Sequence, residues 1–444
     1  MKTSNFLYMF VLFVILLSGC SKDEDTTPPL PGGSTGFIKI AVASDIHYMA
    51  PDLLVQDGPA FQAYLAQDPK LLADSRTILQ QLIVQINQDN PDLLIIPGDL
   101  TKDGELISHQ QVIDLLKTQL NTKIKVLTLP GNHDIANPDA LSYDGASTTP
   151  VPSISDSDFV SMYHDFGYGE AISRDVVTLS YVAEPFTNMR IIFIDATIRP
   201  NPSDPSEPPL EGVIPDETLN WISDQVAAAI SKQMQVFAVM HHNLIDHWTD
   251  QSTIYPGYVI NNSAVAAEQL YNAGIRIIFT GHSHSNDITR YSGGDLYDIE
   301  TGSMVSYPLP YRLVNYWYND SVEISTKWVR GIELHGSPIE DYALNFLNTA
   351  MTNLFYHMLT DLFSAPDPPA TDIAELEASA YIELSAGDEV MTKEEEQQKN
   401  LYFGQLTKLG LPLAAYMFNT TFTSWNTDLV PQDNELSLDL QARK

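Results

Sequence analysis

Five short strings carry side chains able to hold divalent cations, and they follow one another along the chain: Asp45-Ile46-His47, Gly98-Asp99, Gly131-Asn132-His133-Asp134, His241-His242 and Gly281-His282-Ser283-His284. Imidazole, carboxylate and one amide oxygen, with no thiolate, make a donor set suited to transition metals. A carboxylate has two oxygens and can bridge two ions. Glycines beside Asp99, Asn132 and His282 permit sharp turns that bring ligands together. Singly, Asp-x-His or Gly-Asp carries little weight. All five in order, each directly after an apolar run, form a specific pattern.

Those apolar runs are the elements that must position the side chains. Segments 37–43, 92–96, 124–129, 190–195, 235–240 and 275–280 are rich in Ile, Val, Leu and Phe and end at turn residues, as strands do. Amphipathic patterns at 74–88, 106–120, 216–230 and 263–273 predict helices between them. Alternating strand and helix predict an α/β layered domain around a buried, largely parallel sheet. Ligands bind at the carboxyl ends of strands in such sheets, which is where all five strings fall. Segment 289–327 has the aromatic and β-branched content of a further antiparallel set. The long irregular stretches 135–186 and 199–215 are expected to be rim or lid elements. From about residue 336 the pattern turns helical, with Leu344, Leu347, Met351, Leu354, Phe355, Met358, Leu359 and Leu362 at helix spacing. A Pro-rich break at 365–369 precedes more helical sequence to about 417.

The chain of 444 residues carries 23 Lys+Arg against 57 Asp+Glu, a formal net charge of −34, with 44% apolar residues. That apolar share excludes a disordered acidic tail. The charge argues against a nucleic-acid polymer as partner, because phosphate backbones are held by Lys and Arg. A single cysteine rules out internal disulfides, cysteine-based zinc sites and iron–sulfur clusters.

The five strings resemble those of the calcineurin-like metallophosphoesterase superfamily, over roughly residues 37–300. The resemblance implies a four-layer α/β/β/α sandwich holding two divalent metal ions about 3.5–4 Å apart. By motif position, Asp45, His47 and His284 would hold the first metal and Asn132, His241 and His282 the second, with Asp99 bridging. His133 would sit near the scissile phosphate as general acid, oriented by Asp134, and Asn132 and His133 would contact substrate. His242 is the alternative to His241 as ligand, or a phosphate contact. Two metals would acidify a shared water, and the resulting bridging hydroxide would attack the phosphoester in line. Mn, Fe and Zn all suit these donors.

Within that superfamily, Gly98-Asp99-Leu100-Thr101-Lys102-Asp103-Gly104-Glu105 departs from the Ser/Thr protein phosphatases and the purple acid phosphatases, since Lys102 stands where each has a different residue. With Asp158-Phe159, Asp165-Phe166-Gly167-Tyr168 and His241-His242-Asn243-Leu244, it looks more like the cyclic-nucleotide phosphodiesterase branch. That likeness implies hydrolysis of small-molecule phosphodiesters, cyclic nucleotides first among them. A broad phosphomonoesterase or nucleotidase and a non-catalytic surface binding protein are the alternatives. Tyr143, Tyr163 and Tyr168 could stack a base or pack their loop's own core. Asp195 could support the site or cap a loop, and Asp287 could anchor the loop after His284. His109, His164, His247, His335 and His357 fall outside every motif and read as structural or surface residues.

The chain begins Met1-Lys2, then an apolar run from Phe6 to Leu17, then Leu17-Ser18-Gly19-Cys20. This resembles a bacterial lipoprotein signal in which Cys20 becomes the lipid anchor, with an ordinary secretory signal as the alternative. Ser21-Lys22-Asp23-Glu24-Asp25 resembles the export signal of bacterial surface lipoproteins, or is a solvated charge run heading a linker. The expected organisation is a signal peptide at 1–19, a lipid-bearing tether at 20–36, a catalytic domain at 37–335 with 135–186 inserted as a lid, and a mostly helical domain at 336–444. The expected location is extracytoplasmic, anchored to the outer membrane and facing the cell surface. The sequence sets no oligomeric state.

Overall fold

The computed structural model describes residues 36–200, 210–318 and 320–440. Cys20, the signal segment and most of the tether lie outside the described residues.

Two sheets form the centre. The first has six strands in the order Glu435–Asp439, Ser321–Trp328, Pro310–Trp317, Phe37–Val42, Leu93–Ile96, Lys125–Thr128. The second has seven, in the order Ile288–Arg290, Tyr297–Glu300, Ile277–Thr280, Gln235–Met240, Met189–Ile194, Tyr181–Phe186, Ser173–Arg174. The Phe37–Val42, Leu93–Ile96 and Lys125–Thr128 strands run parallel, as do Met189–Ile194, Gln235–Met240, Ile277–Thr280 and Tyr297–Glu300. Strand and helix alternation alone suggested one sheet. Buried strands have apolar residues on both faces, so the pattern cannot reveal where one sheet ends and another begins. The expected antiparallel set at 289–327 is divided between the two sheets, one hairpin on each.

The sheets face one another. Phe237 of the second meets Tyr316 of the first with ring centroids 5.6 Å apart, and the Tyr181 hydroxyl donates to the Thr128 carbonyl at 2.8 Å. The Ser75–Asp89 helix buries Ile78, Leu79, Leu82, Ile83 and Ile86 in the core of the first sheet, each worth roughly 1.5–3 kcal/mol of burial. It stops at Asn90, which takes the left-handed turn at φ 49°. The Leu106–Gln119 helix packs beside it through Val112, Leu115 and Leu116. On the far side of the second sheet, Leu219, Ile222 and Val226 of Asp216–Ser231 and Ala266, Ala267 and Leu270 of Ser263–Ala273 cover Ile192, Ala238 and Ile278. Helix, sheet, sheet, helix is the expected four-layer sandwich.

Beyond it, helices Ile339–His357, Pro369–Ala386, Lys393–Lys408 and Pro412–Trp425 enclose their own core of Leu347, Met351, Phe355, Ile373, Phe418 and Trp425. Lys393–Lys408 starts at Thr392, whose side chain and that of Glu395 each satisfy the other's backbone N–H. After the fourth helix the chain re-enters the first sheet: Glu435–Asp439 pairs antiparallel with Ser321–Trp328. The chain from 336 onward therefore contributes a strand to the sandwich as well as the helices.

The stretch 135–186 is a correction. It was expected to be a lid, but it folds onto the sandwich flank. A hairpin of Leu141–Asp144 and Ser147–Pro150 joins the Leu54–Gln56 strand, and the Asp156–Met162 helix follows. Tyr143, Tyr163 and Tyr168 are all buried in the main core, so none is placed to stack a base. Their hydrocarbon area is worth more inside than at a solvent-facing site.

Candidate metal centre

The loops after the parallel strands of both sheets converge at one end of the sandwich. Asp45 and His47 follow Phe37–Val42, Asp99 follows Leu93–Ile96, and Asn132 and His133 follow Lys125–Thr128. His241 follows Gln235–Met240, and His282 and His284 follow Ile277–Thr280. Glycines were expected to provide the sharp turns. The side-chain-bearing residues themselves take much of the strain: Asp45, His47, Asp99, His282 and His284 have φ of 51°, 40°, 46°, 80° and 66°. Each such conformation costs about 1–3 kcal/mol and persists only where the surroundings enforce it. Gly131 has a packing reason instead, because a Cβ there would collide with the Asp99 carboxylate.

Three overlapping groups bring ligand atoms within 4.8 Å of one another: Asp45, His47 and His284; His47, Asp99 and His133; and Asp99, His241 and His282. Asp99 belongs to two of them. Its Oδ2 lies 3.2 Å from His241 Nε2 and 3.7 Å from His47 Nε2. On the first side, His47 Nε2 and His284 Nε2 face each other at 3.1 Å, with Asp45 Oδ1 3.4 Å from His284. On the second, Asn132 Oδ1 lies 3.0 Å from His241 Nε2. His241 Nδ1 donates to the Pro97 carbonyl at 2.8 Å, which orients the ring and leaves Nε2 facing Asp99 and Asn132, where a metal ion would take the place of its proton. His282 Nε2 approaches the Gly257 carbonyl at 3.2 Å, which leaves Nδ1 as its lone pair.

These donors fit two divalent cations. The facing imidazole nitrogens can share only one proton between them and His47 Nδ1 has no hydrogen-bond partner among the described residues, so this side has donor capacity left for ligation. Burial and nearby Lys70 hold His47 well below the ordinary imidazole range, and burial with His242 and His241 does the same for His282, which favours the neutral, ligating form. Burial pushes Asp99 up, but His241, itself raised to about 9 beside this carboxylate, and His133 outweigh it and keep its carboxyl well below the usual range. Burial likewise raises Asp45, and His284 and His241 bring it below the ordinary carboxylate value.

His133 is placed differently from the ligands. Its Nδ1 lies 2.7 Å from the Lys102 carbonyl and 2.8 Å from Asp103 Oδ1, and its Nε2 faces Asp99 Oδ2 at 4.0 Å. Burial lowers its pKa, but Asp99 and Asp103 raise it more, so it stands above the ordinary histidine value. Asp134 does not orient it, contrary to expectation. The Asp134 carboxylate accepts from the backbone N–H groups of Leu100, Thr101 and Gly131 at 3.2, 3.0 and 2.9 Å, tying the two loops together. Beside the Asp99 charge, burial pushes it up to about 6. The missed residues are Asp103, which orients His133, and Lys102, which is ion-paired to Asp103 and buried over the Tyr64 ring at 4.2 Å. Lys102 stood out in the sequence only as a mismatch to other branches.

His242 is also corrected. Its Nε2 lies 3.0 Å from the Leu210 carbonyl and its ring packs on His282 at 4.2 Å, so it supports a ligand and does not line the substrate cavity. Asp195 caps its own loop, accepting from Thr197 N and Leu179 N at 3.1 Å each. His109 is buried under the loop, 2.9 Å from the Asp134 carbonyl.

A cavity of about 370 Å³ opens on Asp99, His133, His282 and His284. Its other walls are Tyr255, Tyr258, Phe355, Tyr381 and Trp425, so the C-terminal helices roof it. Lys70, 3% exposed and 2.8 Å from Asp68, is the sole Lys or Arg among its described lining residues. No described residue of 135–186 lines it.

Among known families, residues 38–286, over half the chain, match the calcineurin-like phosphoesterases. A stretch of 59 residues is 39% identical to a probable cyclic nucleotide phosphodiesterase of Vesicomyosocius okutanii, covering 13% of this chain and 24% of that protein. The chain thus spans about a quarter of that relative's length. Among solved structures, a dimetal phosphatase from Danio rerio is 14% identical, with 65% of this chain and 95% of that one covered and a TM-score of 0.45. A phosphopantetheinyl hydrolase from Mycobacterium tuberculosis is 14% identical over 60% of this chain and 90% of that one, with a TM-score of 0.31.

Proposed function

The chain belongs to the calcineurin-like phosphoesterase family, and on that premise we propose that it is a dinuclear metal-dependent phosphodiesterase whose leading substrates are cyclic nucleotides. The observation that carries this reading is the position of Asp99, whose Oδ2 lies 3.7 Å from His47 on the first side and 3.2 Å from His241 on the second, at the foot of a cavity walled by aromatic rings. Asp45, His47 and His284 would hold one ion, Asn132, His241 and His282 the other, and Asp99 both. Two bound divalent ions of the Mn, Fe or Zn class supply charge for the phosphoryl oxygens and a water acidified to near neutrality.

The chain's own residues do the rest. His133 holds a proton at Nε2 for the departing oxygen, with Nδ1 fixed by Asp103 and the Lys102 carbonyl. Lys70 lines the cavity as half of an ion pair with Asp68, so the pair adds no net charge. Tyr255, Tyr258, Tyr381 and Trp425 exclude water and offer faces on which a nucleobase can stack. A diester presents one negative charge and an organic group on each side, which suits an aromatic cavity with few cations better than a dianionic monoester does. The test is a comparison of bis-p-nitrophenyl phosphate, mono-p-nitrophenyl phosphate and a panel of cyclic nucleotides, with Mn, Fe and Zn. The expected result is higher kcat/KM on diesters. A clear monoester preference would replace this reading with a broad phosphomonoesterase, and inertness of the metal-loaded protein with a binding protein.

We also propose that Cys20 is lipidated and holds the enzyme on the outer face of a bacterial membrane. The support is Leu17-Ser18-Gly19-Cys20 after the apolar run. A lipid label that enters the wild-type chain but not Cys20→Ser would bear this out, and equal labelling of both would overturn it.

A further inference from the structure

A second set of carboxylates lies apart from the metal centre. Asp287, Glu389 and Asp433 bring one oxygen each within 4.8 Å of one another, and they are 0%, 3% and 0% exposed. Asp388 and Asp428 form a second group that shares Asp433. The acids come from three separate places: the loop after His284, the connection between Pro369–Ala386 and Lys393–Lys408, and the approach to the last strand.

Two positive groups lie beside these five acids, and neither bonds Glu389: buried Arg312, and His247, which Asp298 and Asp287 hold well above the ordinary imidazole range against its burial. Arg312 donates to the carbonyls of Asp433, Asp287 and Glu300 and to the Thr326 hydroxyl, none of them a carboxylate. His247 Nδ1 donates to Asp287 Oδ1 at 2.7 Å, and its other nitrogen faces Asp298. Asp433 is committed to the backbone, accepting from Ile288 N at 2.8 Å and Asp388 N at 2.6 Å. Both oxygens of Glu389 and Oδ2 of Asp287 are buried with no hydrogen-bond partner among the described residues. Buried carboxylates are ordinarily paired or ligate a metal. Proton sharing between neighbouring acids would bring their oxygens to hydrogen-bond distance, and Glu389 has no such partner. Oxygens on opposite sides of a calcium ion, each about 2.3–2.6 Å from it, lie up to about 5 Å apart. The three oxygens, all within 4.8 Å of one another, fall inside that limit.

We propose that Asp287, Glu389 and Asp433, with Asp388 and Asp428 beside them, form a structural cation site of the calcium class. The donors are all oxygen, which selects a hard cation, whereas the imidazole-rich centre selects transition metals. Calcium accepts six to eight oxygens in irregular geometry, whereas magnesium demands a near-ideal octahedron, so five carboxylates from three separate segments suit the larger ion better. The cation joins the segment around Glu389 and the Asp428–Asp433 stretch to the loop that begins at His284, and so fixes the helical roof to the catalytic end of the sandwich.

The test is calorimetric titration of CaCl2 into the full, manganese-loaded chain, with thermal melts alongside. The expected results are one calcium bound per chain, a rise in Tm on binding, and at least a tenfold loss of affinity in Glu389→Gln. Glu389→Gln keeps the side chain's shape and removes no hydrogen bond, so it folds, and without calcium it melts no lower than wild type. Asp45→Asn keeps calcium binding. Absence of calcium binding by the wild-type chain would overturn the proposal. So would undiminished binding in Glu389→Gln, or its loss in Asp45→Asn.

Discussion

The His133 ring is held from one side only: Asp103 and the Lys102 carbonyl take Nδ1, which leaves Nε2 to face the centre. Removing Asp103 frees the ring to rotate without touching a metal ligand. Asp103→Asn is therefore expected to lower kcat by about 10–100-fold, the usual cost of losing an orienting partner, with metal content and KM little changed. His133→Ala should lose more turnover and keep its metal, measured by steady-state kinetics beside elemental analysis. The seven proposed ligands were legible because each sits in a short string at a strand end. Asp103 was not, because its partner lies 30 residues away in another loop. The neighbour Asp134 misled, since adjacent residues in a tight turn point in different directions. Asp134 instead accepts three backbone N–H groups, which sequence adjacency cannot reveal.

At the scale of elements, the six main strands and four flanking helices were legible from apolar periodicity, and the helical C-terminal region from its helix-spaced Leu, Met and Phe. The five-residue strand Glu435–Asp439 was not, because its pairing partner lies over a hundred residues earlier. Rim or lid roles were expected of 135–186 and 199–215 from their length and irregularity; Leu210 of the second lines the cavity, but the C-terminal helices provide most of its roof. Tyr255→Ala, at a half-buried ring that lines the cavity, is accordingly expected to raise KM for a cyclic nucleotide about 5-fold or more, as loss of a stacking surface does, with kcat unchanged. Glu377 in the Pro369–Ala386 helix is a second test of that roof. Both its oxygens are buried without partners among the described residues, and burial raises its pKa well above 4.5. Below about pH 4.5 the acid is protonated in folded and unfolded chains alike and has no effect on stability. As pH rises further, the unfolded chain ionises first, so stability falls by up to about 1.4 kcal/mol per pH unit until the folded acid ionises too. Glu377→Gln should remove that slope, read as the difference between wild-type and variant melts from pH 4.5 to 7.5.

Taken whole, the molecule is a −34 chain built around a site meant for anions. Its surplus acid repels substrates at long range, and more so the dianions. Raising ionic strength screens that repulsion. The kcat/KM for a monoester should therefore rise with salt more than for a diester, checked by parallel assays over a salt series. The four-layer sandwich followed from the motif resemblance and not from periodicity, which could not separate two buried sheets from one. The account stands on two metals sharing Asp99, and anomalous scattering from a manganese-soaked crystal tests that most directly. Two peaks about 3.5–4 Å apart, one on each side of the Asp99 carboxylate and both lost in Asp99→Asn, are the predicted result. A single peak, or a pair that Asp99 does not touch, would contradict it.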